Sequence, residues 1–136
     1  FASSDTPDML DSSTNKLIDF LNESNHSPVI KYTKAEEDID SIFDIRIVFQ
    51  QHHREINLER INPYLLPLKG KLKLRDYEKI FCANTKGSEN IFKMRGINLK
   101  NGCLVIVRPD QHIASILPTN AFEEISRFFN KFMTKR

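Results

Sequence analysis

The strictest alternation of apolar and polar positions falls at Phe43, Ile45, Ile47 and Phe49, with Asp44, Arg46, Val48 and Gln50 between them, and it predicts a strand over 43–50. Two apolar runs, Cys103–Val107 and His112–Leu117, flank Arg108-Pro109-Asp110-Gln111. Proline presets φ at the second turn position and aspartate is tolerated at the third, so residues 103–117 read as a β-hairpin. Its strands are almost wholly apolar, which implies that other layers cover both faces. From Asn120 the spacing turns helical. Asn120 and Glu123 form a capping box, and Phe122, Ile125, Phe129 and Phe132 make a stripe with Phe128 beside it, predicting a core-facing C-terminal helix over 120–133. Leu17, Ile18, Phe20 and Leu21 give a second helical pattern in the later half of 8–23, with Thr14 as N-cap. After the punctuation Asn25-His26-Ser27-Pro28, Val29–Tyr32 reads as a short extended piece. Asp76–Phe81 suits a short helix or strand, with Tyr77 and Phe81 packing one face if helical. Lys86–Asn90 reads as a turn, and Ile91–Arg95 as one helical turn closed by Gly96.

Between these elements, 52–75 has no period and is punctuated by Pro63, Pro67 and Gly70. A long proline-bounded stretch in a compact domain points to docking. Tyr64, Leu65 and Leu66, held between the prolines, cannot all turn inward on this reading and are the candidate interface residues, rimmed by Lys69, Lys71 and Lys73.

A chain of 136 residues and 15.8 kDa makes one domain, and 40% hydrophobic with 28% charged residues is the balance of a soluble globular protein. No apolar stretch approaches a membrane span, and the polar opening lacks a signal-peptide pattern, so a cytoplasmic protein with no membrane partner is expected. The first residue is Phe rather than Met, which implies that the chain was cut from a longer one. Net charge is only +2 but polarised, −7 over residues 1–44 and +9 over 45–136. The basic run from Lys69 to Lys79 alternates with Leu72 and Leu74 and is diluted by Asp76 and Glu78. It reads as a solvated strand face rather than a nucleic-acid site. Cys82 and Cys103 lie in apolar surroundings with no Cys-x-x-Cys and read as reduced core residues, a disulfide between them being the open alternative. His52 and His53, adjacent on an extended segment, would point apart, which is poor metal geometry.

Strands interleaved with helices and closing on a hairpin and a terminal helix imply an α/β sandwich with one central mixed sheet. The order resembles the thioredoxin fold, with Phe1-Ala2 as the stump of its first strand and Phe43–Gln50 as the next parallel strand. Arg95-Gly96-Ile97 then precedes the hairpin. Where redox members of that fold carry Cys-x-x-Cys, this chain has Ser3-Ser4-Asp5-Thr6, so thiolate chemistry is not expected. Longer strings are more specific: Phe43–Gln51, Leu66-Pro67-Leu68-Lys69-Gly70, Asp76–Phe81, and above all Arg95-Gly96-Ile97 followed by Val107-Arg108-Pro109-Asp110-Gln111. They resemble the C-terminal domain of the phenol hydroxylase family over about residues 40–133. His112 departs from the aromatic residue usual there. The resemblance implies a parent enzyme that uses FAD and NADPH to hydroxylate aromatic compounds. In such a parent the preceding domains hold flavin and substrate, and this domain serves packing and association into a homodimer. The residues agree with that division: the four glycines build no dinucleotide-binding turn, and no acid, base or nucleophile stands in a catalytic constellation. Arg108 and Asp110 either close their own turn or reach another domain. The rival readings are an independent redox protein, which needs a reactive thiol, and a free-standing binding module.

Overall fold

The computed structural model describes residues 1–3, 12–86 and 90–134. Residues 8–11 of the first helical pattern, Ser4-Asp5-Thr6, and most of the turn expected at 86–90 lie outside them.

Helix α1 runs Ser13–Glu23 and buries Leu17, Ile18 and Leu21. Its N-cap is Ser12, whose hydroxyl accepts the Asn15 N–H at 3.0 Å. Thr14, expected as the cap, sits inside the first turn, its hydroxyl 2.9 Å from that of buried Ser3. Residues 29–32, expected to be extended, belong to helix α2 (Pro28–Tyr32). Ser27 accepts the Val29 N–H at 3.2 Å and Pro28 occupies the first helical position, where its missing N–H costs nothing.

Strand β1 is Ile47–Phe49, shorter than the alternation suggested, with Ile47 and Phe49 turned inward as it required. Residues 43–46 keep the packing without the ladder: Phe43 and Ile45 still face the core. The segment then makes three successive 3₁₀ turns, His53–Glu55, Leu58–Arg60 and Pro63–Leu65, each capped by a side chain, His52, Asn57 and Asn62. Residues Ile56, Ile61 and Leu66 close these turns and face the core. The stretch is therefore a five-residue repeat, a capping side chain first and an inward apolar residue last. The rings of His52 and His53 lie 4.1 Å apart rather than on opposite sides, because the first turn bends the backbone between them.

A two-stranded ribbon follows, β2 (Leu68–Lys69) with β3 (Leu74–Arg75), and then β4 (Ile80–Cys82), which pairs in parallel with β1. Tyr77 and Phe81 share no helix and both are exposed. Helix α3 is Ile91–Met94. The hairpin is β5 (Leu104–Val107) with β6 (Ile113–Leu117), antiparallel, with a register irregularity beside Val107. Helix α4 spans Phe122–Asn130; its N-cap is Ala121, without a side-chain cap, so the Asn120 capping box does not form.

Ala2 joins the two ladders. It bridges Val48 in parallel and Cys103 in antiparallel fashion, with Ala2 N–H to Cys103 O at 2.8 Å and Ser3 N–H to Val48 O at 2.9 Å. The result is a mixed sheet in the order β6, β5, Phe1–Ser3, β1, β4, the thioredoxin-like arrangement expected, with the first chain segment at its centre. On one face α1, α2 and α4 pack Leu17, Leu21, Val29 and Ile125 against Leu104 and Leu117. The rings of Phe20 and Phe122 stack at 4.8 Å, and Phe43 meets Phe129 edge-on at 5.1 Å. Asn130 fastens α4 to α2 by accepting from the Tyr32 hydroxyl at 2.8 Å and the Lys31 ammonium at 2.6 Å. The other face is covered by Phe92 of α3 over Ala2 and Ala83, with Val48, Ile97 and Cys103 packed against them.

A candidate association surface

The family-like strings turn out to be fold-forming. Arg95-Gly96-Ile97 closes α3 as a Schellman motif: Ile97 N–H reaches Phe92 O at 2.8 Å, Gly96 N–H reaches Lys93 O at 3.3 Å, and Ile97 packs with Phe92. Gly96 has φ +62°, the left-handed conformation that the motif demands. Arg108 and Asp110 close their own turn through a 2.6 Å ion pair. Arg108 N–H bonds His112 O at 2.9 Å and Gln111 N–H bonds Arg108 O at 2.8 Å. Gln111 takes φ +67°, completing a three-residue hairpin loop. His112 stands at the loop's edge with its N–H 3.3 Å from the Asp110 carboxylate.

Leu65 and Leu66, expected at the surface, are 2% and 3% exposed and belong to the core with Ile47 and Phe49. The 3₁₀ turn at Pro63–Leu65 rotates both leucines inward, which an extended proline-bounded segment could not do. Tyr64 is half-buried, and burial pushes its hydroxyl pKa up. The expected rim is also partly engaged within the chain. Lys69 pairs with Asp40 at 2.9 Å and with Asp76 at 3.0 Å. Lys79 pairs with the same Asp40 oxygen at 3.0 Å and with Asp44 at 2.5 Å, and Arg46 holds Asp44 at 2.8 Å. The side chains of Lys79 and Asp40 are only 7% and 8% exposed. Burial opposes the charge on Asp40, yet hydrogen bonds from Lys69 and Lys79 outweigh it and hold the carboxyl below its ordinary pKa. Burial opposes the Lys79 charge too, and bonds to Asp44 and Asp40 keep its pKa raised. Part of the charge asymmetry between the two halves of the sequence is thus internal complementarity. No separate motif announces it; the acidic residues 36–44 and basic residues 69–79 were the available signal, and the parallel pairing of β1 with β4 brings them together.

Exposed apolar side chains are spread over the surface, Met94 and Leu99 near α3 among them, and two groups matter for association. One is the distal half of the hairpin with the end of α4. On the α4 face a groove of about 300 Å³ lies between Ile106, Val107 and Ala114 on one side and Phe128, Phe129 and Phe132 on the other, with Phe132 exposed, while Ile116, paired with Val105, is 62% exposed on the opposite face and Ile113, paired with Val107, is 60% exposed near the tip. The hairpin is therefore not covered on both faces, and Phe132 does not reach the core, because α4 ends at Asn130. The second place is the β2–β3 ribbon, where Leu72 is 80% exposed and Leu68 and Leu74 are exposed among Lys71, Lys73 and Arg75. Sequence reading missed the first, since an apolar strand position looks the same whether another layer or another molecule covers it; the second lies within the 52–75 stretch read as a docking segment and on the strand face read as solvated.

Cys82 and Cys103 are free, and burial pushes both thiols up, away from thiolate character. Among the described residues no group of three His, Cys, Asp or Glu side chains could hold a metal ion, and no helix is long and apolar enough to cross a membrane. An open groove of about 610 Å³ lies between the end of α1 and α4, lined by Phe20, His26, Phe122 and Arg127 among others.

All of residues 1–136 match the family described as phenol hydroxylase, C-terminal dimerisation domain. The chain belongs to that family. It is 44% identical over 115 residues to a 3-hydroxybenzoate 4-monooxygenase of Comamonas testosteroni, covering 84% of this chain and 18% of the relative. It is 34% identical over 116 residues to the FAD-dependent monooxygenase terD of Aspergillus terreus, covering 83% of this chain and 19% of the relative. The chain spans less than a fifth of the length of the curated relatives it matches. In this chain the strings that resemble the family form a helix stop and a hairpin turn, and uncovered apolar side chains lie on the hairpin and the ribbon.

Proposed function

We propose that this domain joins two copies of an FAD- and NADPH-dependent aromatic hydroxylase of the phenol type into a homodimer and takes no part in the chemistry. The observation that carries the reading is the uncovered apolar surface of the hairpin and α4 in a domain whose family is described by dimerisation. Apolar surface of this kind, rimmed by polar groups, is what an association site presents.

The residues here do not fit a flavin. A dinucleotide pyrophosphate needs a glycine-rich turn between a strand and a helix N-terminus. The sequence between Phe1–Ser3 and α1 has no glycine and carries Asp5, Asp8 and Asp11, whose charges repel a pyrophosphate. The open groove at α1 and α4 has no such turn either. Flavin and substrate are accordingly assigned to the preceding part of the parent chain, and the parent to a soluble cytoplasmic enzyme.

The test is removal of residues 1–136 from the whole protein. The expected product keeps its yellow flavin spectrum and sediments at the mass of a single truncated chain. Loss of stoichiometric flavin together with an unchanged oligomer would overturn the reading.

A further inference from the structure

The β2–β3 ribbon is built as an arm with a fixed root and a bare end. At the root Lys69 pairs with Asp40 and Asp76, the Gly70 N–H donates to the Asp38 carboxylate at 2.9 Å, and the Asp76 N–H bonds Pro67 O at 2.9 Å. Lys69 lies opposite Leu74 and Leu68 opposite Arg75, so each face of the ribbon carries one exposed leucine, and Leu72 at the turn is 80% exposed. A two-stranded ribbon is marginally stable in water by itself, and one with leucines on both faces and at its turn suits a cleft rather than a flat surface. Its charge is one-sided. Residues 68–75 contain no acid, and Lys71, Lys73 and Arg75 are exposed and make no ion pair among the described residues.

The arm stands where a longer chain arrives. Phe1–Ser3 runs parallel to β1, and the Phe1 nitrogen donates to Arg46 O. Arg46 holds Asp44, Asp44 holds Lys79, Lys79 holds Asp40, and Asp40 holds Lys69 of β2, so a line of ion pairs joins the start of the central strand to the root of the ribbon. The family is described as a C-terminal domain, and the matched stretch is less than a fifth of either relative, so the rest of such a parent reaches this domain through Phe1. We infer that the ribbon inserts into a cleft of the flavin-bearing part of its own chain, a cleft with an apolar floor for Leu72 and Leu74 and carboxylates at its rim for Lys71, Lys73 and Arg75. The inference rests on the parent-enzyme reading above and concerns a surface separate from the hairpin. Apolar anchors supply most of the energy of such a contact, and opposed charges at the rim set its register. A two-fold contact of ribbon on ribbon would instead press cations against cations.

The experiment joins lysines to adjacent carboxylates in the whole protein with a zero-length carbodiimide, then separates the products by denaturing electrophoresis before peptide mass spectrometry. Lys71 or Lys73 is expected to be joined to an aspartate or glutamate N-terminal to Phe1, in the band of single-chain mass, with a yield constant over a hundredfold range of protein concentration. The same lysines joined only in the band of double mass would place a second copy on the ribbon, and their absence from both bands would leave it uncovered; either result overturns the inference. Chymotrypsin, which cuts after bulky apolar residues, gives a second readout. The native whole protein should resist cleavage at 72–74, and the variant Lys71→Gln, Lys73→Gln, Arg75→Gln, altered only at exposed side chains, should be cut there about tenfold faster as the arm leaves its cleft. Rapid cleavage of the wild type, or equal rates, would overturn the inference. Sedimentation and the flavin spectrum keep the two readings apart. A monomer, or a protein without flavin, that forms the intrachain cross-link sinks the reading above alone, and a flavin-bearing dimer without the cross-link sinks the arm alone.

Discussion

Replacing Lys79 by methionine keeps the aliphatic stem and deletes the ammonium at the hub of the ionic network. The lysine is 7% exposed and lies 3.0 Å from the Asp40 carboxylate, itself 8% exposed. Removing one partner of a buried pair typically costs about 3–5 kcal/mol, because the other charge is left without compensation. Lys69 still reaches Asp40 at 2.9 Å and Arg46 still holds Asp44 at 2.8 Å, so the lower end, about 3 kcal/mol, is expected. At about 2 cal/mol/K of unfolding entropy per residue, a chain of this length should lose roughly 10 °C in Tm. The pH dependence follows from the pKa directions. Asp40, Asp44 and Asp76 are held below their ordinary values, so their stabilisation is present above about pH 4 and fades as pH falls through the lowered values. Lys79 is raised, so its contribution is present below about pH 10.5 and is lost as pH climbs through its folded value. The gap between wild type and Lys79→Met, measured by urea unfolding, should therefore be widest near neutrality and close towards pH 3, where protonated carboxyls no longer need a cation. Adding Asp40→Asn to the variant should recover at least a third of the loss at pH 7, since a neutral amide leaves no orphan charge. A gap under about 0.5 kcal/mol at pH 7, the scale of a surface pair, or one that persists unchanged at pH 3, would refute the reasoning.

Gly96→Ala meets no steric neighbour but forces a side chain into φ +62°, so thermal unfolding should show a loss of about 1 kcal/mol. Leu65→Ala should cost about 3 kcal/mol in urea unfolding and leave the sedimentation of the folded protein unchanged, because the residue lies in the core and outside the contact. Alkylation of Cys82 and Cys103 in the native protein at pH 7 should run slower than that of an exposed model thiol and speed up on unfolding, since burial suppresses both thiolates.

The hairpin, the inward alternation of Ile47 and Phe49, the stop at Gly96 and the stripe of Phe122, Ile125 and Phe129 were legible because each depends on neighbours close in sequence. The 52–66 repeat was not: a period of five belongs to neither helix nor strand, and only the cap geometry of His52, Asn57 and Asn62 reveals why Leu66 faces inward. Residues 29–32 misled because Val29-Ile30 favours strand by propensity, whereas the Ser27 cap and Pro28 start a helix. The association surface was illegible for a different reason. Apolar positions on β6 match those of a buried strand, and whether a neighbour covers them is decided by topology, which puts β6 at the end of the sheet.

The measurement that bears most directly on association is the mass in solution of a monomeric carrier protein fused to residues 1–136. Sedimentation equilibrium should return twice the fusion mass at micromolar concentration and fall to a single mass with Ile113→Asp and Ile116→Asp. A folded fusion that remains at one mass up to 100 times that concentration would contradict the assignment of dimerisation to this domain.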